Sequence, residues 1–171
     1  MLNLRGLLDE CKAMGELKTI TQPIDWNEEM GALNYMVAQR EDAPVLWFQN
    51  IKDANYGASA VFNLFGMGKE RIAMSLGLPK GLSIPDLVRF TKDNFGRKVP
   101  PRTVPASQSP VNEIILEGSD IDIRKFPAPK MWPRDGGRYL GTWDVLVTRD
   151  LEDGHINLGT YRQMIHGPRE L

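Results

Sequence analysis

The residues best suited to chemistry lie near the end of the chain, between residues 134 and 166. Arginine can hold a phosphate or carboxylate through two parallel hydrogen bonds, and glycines let backbone N–H groups approach an anion closely. Asparagine and histidine side chains can ligate a divalent metal. The window combines these types with several glycines: Arg134, Asp135, Arg138, Thr142, Asn157, Thr160, Arg162 and His166. It therefore suggests a site for an anionic ligand beside a hairpin.

These residues also have ordinary structural explanations. The run 135–137, Asp-Gly-Gly, is typical of a tight turn in which glycine permits positive φ. Asn157 could satisfy backbone groups at a sheet edge, Arg162 could form a cross-strand pair, and Thr142 is a common strand residue. His155 lies beside a predicted hairpin loop, where a surface position is usual. The window alone leaves both interpretations open.

The spacing of Asn157 and Arg162 makes a structural prediction. Side chains alternate along a regular strand, so residues five apart point to opposite faces. If both residues serve one ligand, the strand must contain a bulge between them. Gly159 is the natural place for it.

Two predicted strands must position this window. Tyr139–Arg149 and His155–Ile165 have strand character, and Leu151–Gly154 is a hairpin loop between them. Asn112–Leu116 is predicted as a further strand, and Phe126–Pro129 as an extended turn. Two long strands cannot close a barrel, so residues 112–171 are predicted to be the start of a barrel or sandwich domain.

The first part of the chain alternates helical and strand patterns, which predicts an α/β domain over residues 1–96. A proline-rich linker over 97–111 should separate it from the β domain at 112–171. The predicted elements are a helix with apolar positions from Leu4 to Met14 that ends at Gly15, strand Leu17–Ile20, helix Glu28–Arg40 capped by Asn27, strand Val45–Phe48, strand Ala60–Leu64, helix Lys69–Leu76, and a helix capped by Ser83 that ends near Gly96.

Composition limits the function classes. A net charge of -1 over 171 residues, with no basic stripe, argues against nucleic acid and anionic membranes as partners. No segment approaches the ~20 apolar residues of a membrane span. The single cysteine, Cys11, excludes an internal disulfide, and its place on an apolar helical stripe predicts burial. We therefore expect a cytoplasmic protein.

Three sequence blocks together resemble the UbiD decarboxylase family. They are Phe126–Pro129 (FPAP), Asp135–Thr142 (DGGRYLGT) and Asn157–Arg162 (NLGTYR). The resemblance extends over the whole chain and is most specific at 126–162. It implies an α/β N-terminal domain followed by the beginning of a split β-barrel domain, related to flavin reductases and incomplete at Leu171.

The resemblance also implies cofactors and site residues. The family uses prenylated FMN, with a divalent metal (typically Mn²⁺) and K⁺ beside its phosphate. Arg162 matches the catalytic arginine that lies by the flavin and the substrate carboxylate. The other matching positions are Asn157 as a metal ligand, the backbone carbonyl near His155 at the K⁺ site, and Thr142, Gly159 and Thr160 along the cofactor.

The activity implied by the resemblance is reversible, non-oxidative decarboxylation of an aromatic, heteroaromatic or α,β-unsaturated carboxylic acid. Its partners would be this small acid, carbon dioxide, a flavin prenyltransferase that supplies the cofactor, and further copies in a homo-oligomer or the missing C-terminal part. Family members are longer, and the remaining histidine and glutamate site residues are expected beyond Leu171. The 171-residue chain alone should therefore be inactive.

Two other functions remain open from the sequence. The hairpin would also suit a flavin reductase-like oxidoreductase that uses ordinary FMN and a nicotinamide. Alternatively, the chain is a non-catalytic half-domain that binds a partner through an exposed sheet edge. The spacing of Asn157 and Arg162, together with the FPAP block, favours the decarboxylase.

Overall fold

The structure, a computed structural model, describes residues 3–66, 68–142 and 144–171. Its N-terminal part is α/β and its C-terminal part has short strands, with 3-10 turns between them. None of the helices in the described ranges is long and apolar enough to cross a membrane. The helices and strands are α1 (Leu4–Ala13), β1 (Leu17–Ile20), α2 (Glu29–Ala38), β2 (Val45–Phe48), β3 (Ala60–Phe62), α3 (Lys69–Ser75), α4 (Ile84–Asn94), β4 (Tyr139–Leu140), β5 (Leu146–Arg149), β6 (Ile156–Gly159) and β7 (Gln163–Met164).

A three-stranded sheet organises the N-terminal part. β2 lies in the centre, parallel to β1 and antiparallel to β3. Successive side chains of a strand point to opposite faces, so β2 contributes to two cores. Val45 packs with α1 and Met74 of α3, whereas Leu46 and Phe48 pack with Met30 of α2. Helices thus cover both faces of this sheet, as the α/β prediction requires.

The start of α2 differs from the prediction, because Asn27 is not its N-cap. Glu28 precedes the helix with a left-handed φ of 68° and no side-chain cap. Instead, the Glu29 carboxylate accepts a hydrogen bond from the Asp25 N–H at 2.7 Å. The Glu28 N–H donates to the Lys130 carbonyl at 2.9 Å, so a long-range contact fixes this turn. Such contacts override local capping preference.

The predicted strand at Asn112–Leu116 is wrong. Pro110–Asn112 forms a 3-10 turn, and the chain after it is irregular. Ile114 and Ile115 are exposed, so their β-branched side chains cover no sheet face in the described structure. Strand propensity mainly reflects packing against neighbours, and these residues lack that packing here. The residues over 97–105 form no helix or strand, which agrees with their high proline content.

The segment after the linker is docked onto the N-terminal part. The Lys130 N–H donates to the Trp26 carbonyl at 3.0 Å, and Lys130 Nζ lies 2.7 Å from Glu28 Oε1. The rings of Tyr56 and Phe126 lie 5.3 Å apart. The extended block at 126–129 is therefore held by the α/β unit, and it leads directly to the site region.

Candidate active site

Each of the two predicted long strands is interrupted. Tyr139–Arg149 forms β4 and β5, and His155–Ile165 forms β6 and β7; Trp143, within the first stretch, lies outside the described residues. β5 pairs with β6 as the predicted hairpin, and β4 pairs with β7. The first break begins at Gly141, directly after β4, and Gly141 has a left-handed φ of 67°. Five residues (141–145) therefore oppose three (160–162) between the two ladders.

Gly159 marks the second break. The sequence predicted a bulge there within one continuous strand, whereas β6 ends at Gly159 and the chain changes its pairing partner. Arg162 lies in the irregular segment that follows. Regular alternation therefore does not fix the directions of Asn157 and Arg162 relative to each other. A side chain at Gly159 would overlap the Tyr161 ring, which explains why glycine occupies this position.

The two faces of the β5–β6 hairpin differ in chemistry. Thr148 pairs with Asn157, and both are exposed on the same face as Gly159. Val147 pairs with Leu158 on the opposite face, where both side chains are also exposed. The first face carries the polar pair Thr148 and Asn157 next to Leu146 and Gly159, and the second carries Val147 and Leu158 next to Arg149 and Ile156. A polar ligand would suit the face that carries Asn157.

Arg162 is held by two contacts. Its guanidinium carbon lies 3.8 Å from the centroid of the Tyr139 ring, a close cation–π arrangement. Its Nη1 donates to Asp135 Oδ1 at 3.2 Å. The Arg162 side chain remains 41% exposed, whereas that of Asp135 is 10% exposed. The structure thus presents an ordered arginine whose charge is still accessible to a ligand.

The turn that carries Asp135 is itself ordered. The Trp132 N–H donates to Asp135 Oδ2 at 3.1 Å, and the Asp135 N–H donates back to the Trp132 carbonyl at 3.0 Å. Neither Gly136 nor Gly137 uses the positive φ that glycine permits. The space around this turn is tight. A Cβ on Gly136 would lie 3.1 Å from Met164 Sδ of β7.

Arg138 ties this turn to the rest of the molecule. Its Nε and Nη2 donate to the Ala128 and Phe126 carbonyls, each at 2.8 Å. Its guanidinium carbon also lies 4.4 Å from the centroid of the Trp26 ring. Burial lowers the pKa of Arg138 from its usual value, although the negative charge of Asp53 acts in the opposite direction. Arg138 therefore positions the FPAP block and is not an open anion site.

A cleft of about 710 Å³ lies between the two parts of the chain. Its walls are residues 58–66 around β3, the block at 126–129, and residues 139–142. Thr142 is exposed at this cleft, beside the strand that carries Tyr139. The Asn34 Oδ1 atom, also on a lining residue, is buried without a hydrogen-bond partner. The cleft is mainly apolar and large enough for a small organic molecule.

The remaining predicted residues lie at the hairpin. The His155 carbonyl accepts a hydrogen bond from the Asp150 N–H at 2.8 Å, so it already closes the hairpin loop. Thr160 is exposed directly after β6. His166 is exposed, and its backbone N–H donates to the Glu170 carbonyl at 3.0 Å. Within the described ranges, no three His, Cys, Asp or Glu side chains are grouped to hold a metal ion.

Sequence reasoning did not find two aromatic residues that shape the site. Tyr139 is predicted from the sequence only as a strand residue, and no sequence pattern indicates a role for Trp26. Tyr139 supports Arg162, and Trp26 supports Arg138. No local pattern signals either contact, because Trp26 and Arg138, like Tyr139 and Arg162, are far apart in sequence.

Two domain models of one protein family match this chain. The N-terminal domain of 3-octaprenyl-4-hydroxybenzoate carboxy-lyase matches residues 8–91, and the Rift-related domain of the same family matches residues 102–171. Between them, these matches cover most of the chain. The chain belongs to the UbiD family of carboxy-lyases.

Solved structures agree with this assignment. Vanillic acid decarboxylase of Sedimentibacter hydroxybenzoicus in closed form is 26% identical, with a TM-score of 0.85 over 97% of this chain and 35% of that chain. The UbiD-class enzyme HmfF from Pelotomaculum thermopropionicum, in an evolved dimeric form in complex with prFMN, is 26% identical, with a TM-score of 0.82 over 96% of this chain and 36% of that chain.

A third similar structure supports the fold alone. The apo form of 3,4-dihydroxybenzoic acid decarboxylase (AroY) from Klebsiella pneumoniae is 22% identical, with a TM-score of 0.76 over 94% of this chain and 35% of that chain. The chain thus spans about a third of the length of these enzymes.

Proposed function

We propose that this chain contributes part of the active site of a prenylated-FMN-dependent decarboxylase acting on an aromatic, heteroaromatic or α,β-unsaturated acid. The observation that carries the proposal is Arg162, a half-exposed guanidinium that is held by Asp135 and Tyr139 in the segment that follows β6. Family membership supplies the reaction class. HmfF, one of the similar enzymes, is described in complex with FMN and with prFMN.

The residues present fit a phosphate-bearing flavin. The hairpin face that carries Asn157 offers its side-chain amide, with the small residues Thr148 and Gly159 beside it. The hydroxyl of Thr160 follows directly after β6. An amide oxygen suits Mn²⁺, and backbone carbonyls such as that of His155 suit K⁺. One amide cannot complete a metal site, so the proposal requires further ligands, which the family resemblance implies to be a histidine and a glutamate beyond Leu171. We further propose that residues 112–171 begin a split barrel.

Arg162 would bind and orient the substrate carboxylate. When bound, prenylated FMN supplies the electron sink for the loss of carbon dioxide. Decarboxylation breaks the bond to the carboxylate carbon, leaves its electron pair on the neighbouring carbon, and requires a proton there. A guanidinium with a free edge can hold the carboxylate through two hydrogen bonds in a defined direction. The proton donor would be a glutamic acid beyond Leu171, as the family resemblance implies.

The direct test uses the complete protein, loaded with prenylated FMN by a flavin prenyltransferase. Release of carbon dioxide is measured for a panel of aromatic, heteroaromatic and acrylic acids, and NADH oxidation is measured in parallel. We expect carbon dioxide from at least one acid and no flavin-dependent NADH oxidation. NADH oxidation without carbon dioxide release would instead support the flavin reductase alternative.

Asn157→Ala tests the cofactor-binding part of the proposal. Removing the amide oxygen should weaken metal and flavin retention, so the purified variant should contain less manganese and prenylated FMN than the wild type. Val147→Ala, an exposed position on the opposite face of the same hairpin, is the matched control. Equal flavin and metal contents in both variants and the wild type would contradict the role of Asn157.

A further inference from the structure

We propose that Asp135 is a positioning residue for Arg162, and that its carboxylate fixes the direction in which the guanidinium meets the substrate carboxylate. The inference rests on the proposed function and deepens it. It assigns a role to Asp135, the first residue of the DGGRYLGT block. Asp135 is not among the site residues that the resemblance implies.

Hydrogen bonds within its turn hold the Asp135 side chain in one orientation. Its carboxylate accepts from the Trp132 N–H at 3.1 Å, and its own N–H closes the turn onto the Trp132 carbonyl at 3.0 Å. Its side chain is 10% exposed, whereas the side chain of Arg162 is 41% exposed. A mostly buried acceptor therefore holds a more exposed donor. The contact spans 27 residues of sequence, so it is formed only by the folded turn.

The two contacts of Arg162 together define its orientation. Stacking on Tyr139 at 3.8 Å fixes the plane of the guanidinium, and the bond from Nη1 to Asp135 fixes its rotation within that plane. Of the three guanidinium nitrogens of Arg162, Nη1 is the one that donates to a side chain within the described residues. Nε and Nη2 form the edge that a second carboxylate could engage through two hydrogen bonds.

The charge of Asp135 has a second effect. A carboxylate leaving group must be held in place without being stabilised more than the transition state. Partial neutralisation of Arg162 by Asp135 weakens its attraction for the bound acid. Loss of this negative charge should therefore strengthen binding of the acid while the orientation deteriorates. This predicts that kcat falls and KM stays the same or falls, a pattern that general destabilisation does not produce.

The experiment compares Asp135→Asn and Asp135→Glu in the complete, prenylated-FMN-loaded enzyme. Asp122→Asn is the matched control, because Asp122 also pairs with an arginine, at 2.8 Å, but its partner is Arg124 and not Arg162. We expect Asp135→Asn to lower kcat by about tenfold, corresponding to one misdirected charged contact. Asp135→Glu should recover part of this loss because it retains the charge.

Equilibrium binding supplies a readout that does not depend on turnover. Benzoate and its neutral isostere benzamide are titrated calorimetrically into each variant. The affinity ratio of benzoate to benzamide should rise severalfold in Asp135→Asn, because Arg162 loses its countercharge, and should be unchanged in Asp122→Asn.

Three outcomes decide between the alternatives. If Asp135→Asn matches Asp122→Asn in kcat, KM and affinity ratio while Arg162→Ala is inactive, the role of Asp135 is refuted and the proposed function stands. If Arg162→Ala retains wild-type turnover, the proposed function itself fails. If Asp135→Asn does not fold, Asp135→Glu is the deciding variant. The role of Asp135 predicts that this longer but still charged side chain lowers kcat and leaves the affinity ratio near that of the wild type.

Discussion

Gly31→Ala is the substitution that most directly tests how the α/β unit positions the site. Gly31 lies in α2 and is buried against the segment that follows the linker. A Cβ at this position would lie 2.5 Å from the Met131 carbonyl oxygen and 3.1 Å from the Met131 Cα. Since real Cβ contacts are essentially never closer than 3.0 Å, the two backbones must separate by at least 0.5 Å (3.0 minus 2.5).

The size of the effect follows from two opposing terms. Alanine stabilises a helix relative to glycine by about 1 kcal/mol, whereas overpacking against backbone costs about 1–3 kcal/mol. The contact is pinned by the Glu28–Lys130 and Lys130–Trp26 hydrogen bonds, so it cannot relax freely. The two terms leave a net cost of about 0–2 kcal/mol, and because the contact cannot relax we expect the upper half of that range: the docked segment should open more easily by about 1–2 kcal/mol, a factor of about 5–30 in the open population.

Hydrogen exchange of peptides covering 126–135 in the complete protein measures this opening. Faster exchange is expected in Gly31→Ala, together with a lower kcat, because Trp132 holds Asp135 and Asp135 holds Arg162. Gly96→Ala is the control, since a Cβ there has no neighbour within 4 Å. Exchange in Gly31→Ala equal to that in Gly96→Ala would refute the proposed coupling between α2 and the site.

Two further predictions concern the stability of the chain. Cys11 is 0% exposed, and burial raises the pKa of its thiol. Iodoacetamide at mildly alkaline pH should therefore modify Cys11 slowly in the native protein and rapidly in urea. Equal rates of modification would contradict the packing of α1. The Arg124 side-chain hydrogen bond lowers the pKa of Asp122 from 3.8 to about 2. The ionised, paired form therefore contributes stability above the unfolded pKa, and this contribution is lost as pH falls towards the folded one. The unfolding midpoints of wild type and Asp122→Asn should converge between these two pH values, whereas a constant difference would exclude the ion pair as its cause.

The α/β part was largely predictable because its signals are local. The apolar spacing of Leu7, Leu8 and Cys11 gives the buried face of α1, and the Ser83 side chain caps α4 as expected by accepting from the Asp86 N–H. β1 and β2 have the predicted bounds. The start of α2 was not predictable from local preference, because the contact between Glu28 and Lys130 joins residues far apart in sequence.

The geometry of the candidate site was only partly predictable, and the roles of its residues stay predictions. Motif resemblance selected Asn157 and Arg162, and the hairpin between β5 and β6 formed as expected. The strand breaks after Gly141 and Gly159 depend on which ladder each stretch joins, and pairing is a tertiary property. The contacts of Arg162 with Asp135 and Tyr139 depend on the same change of pairing partner, so sequence spacing alone could not give them.

The most direct test of the central claim is carbon dioxide release by the complete enzyme carrying Arg162→Ala, with its prenylated FMN content measured in the same sample. The proposed function predicts a variant that retains the flavin and releases no carbon dioxide above background, while the wild type turns over the same acid. Wild-type release by the flavin-loaded variant would contradict the assignment of Arg162 as the group that binds and orients the substrate carboxylate.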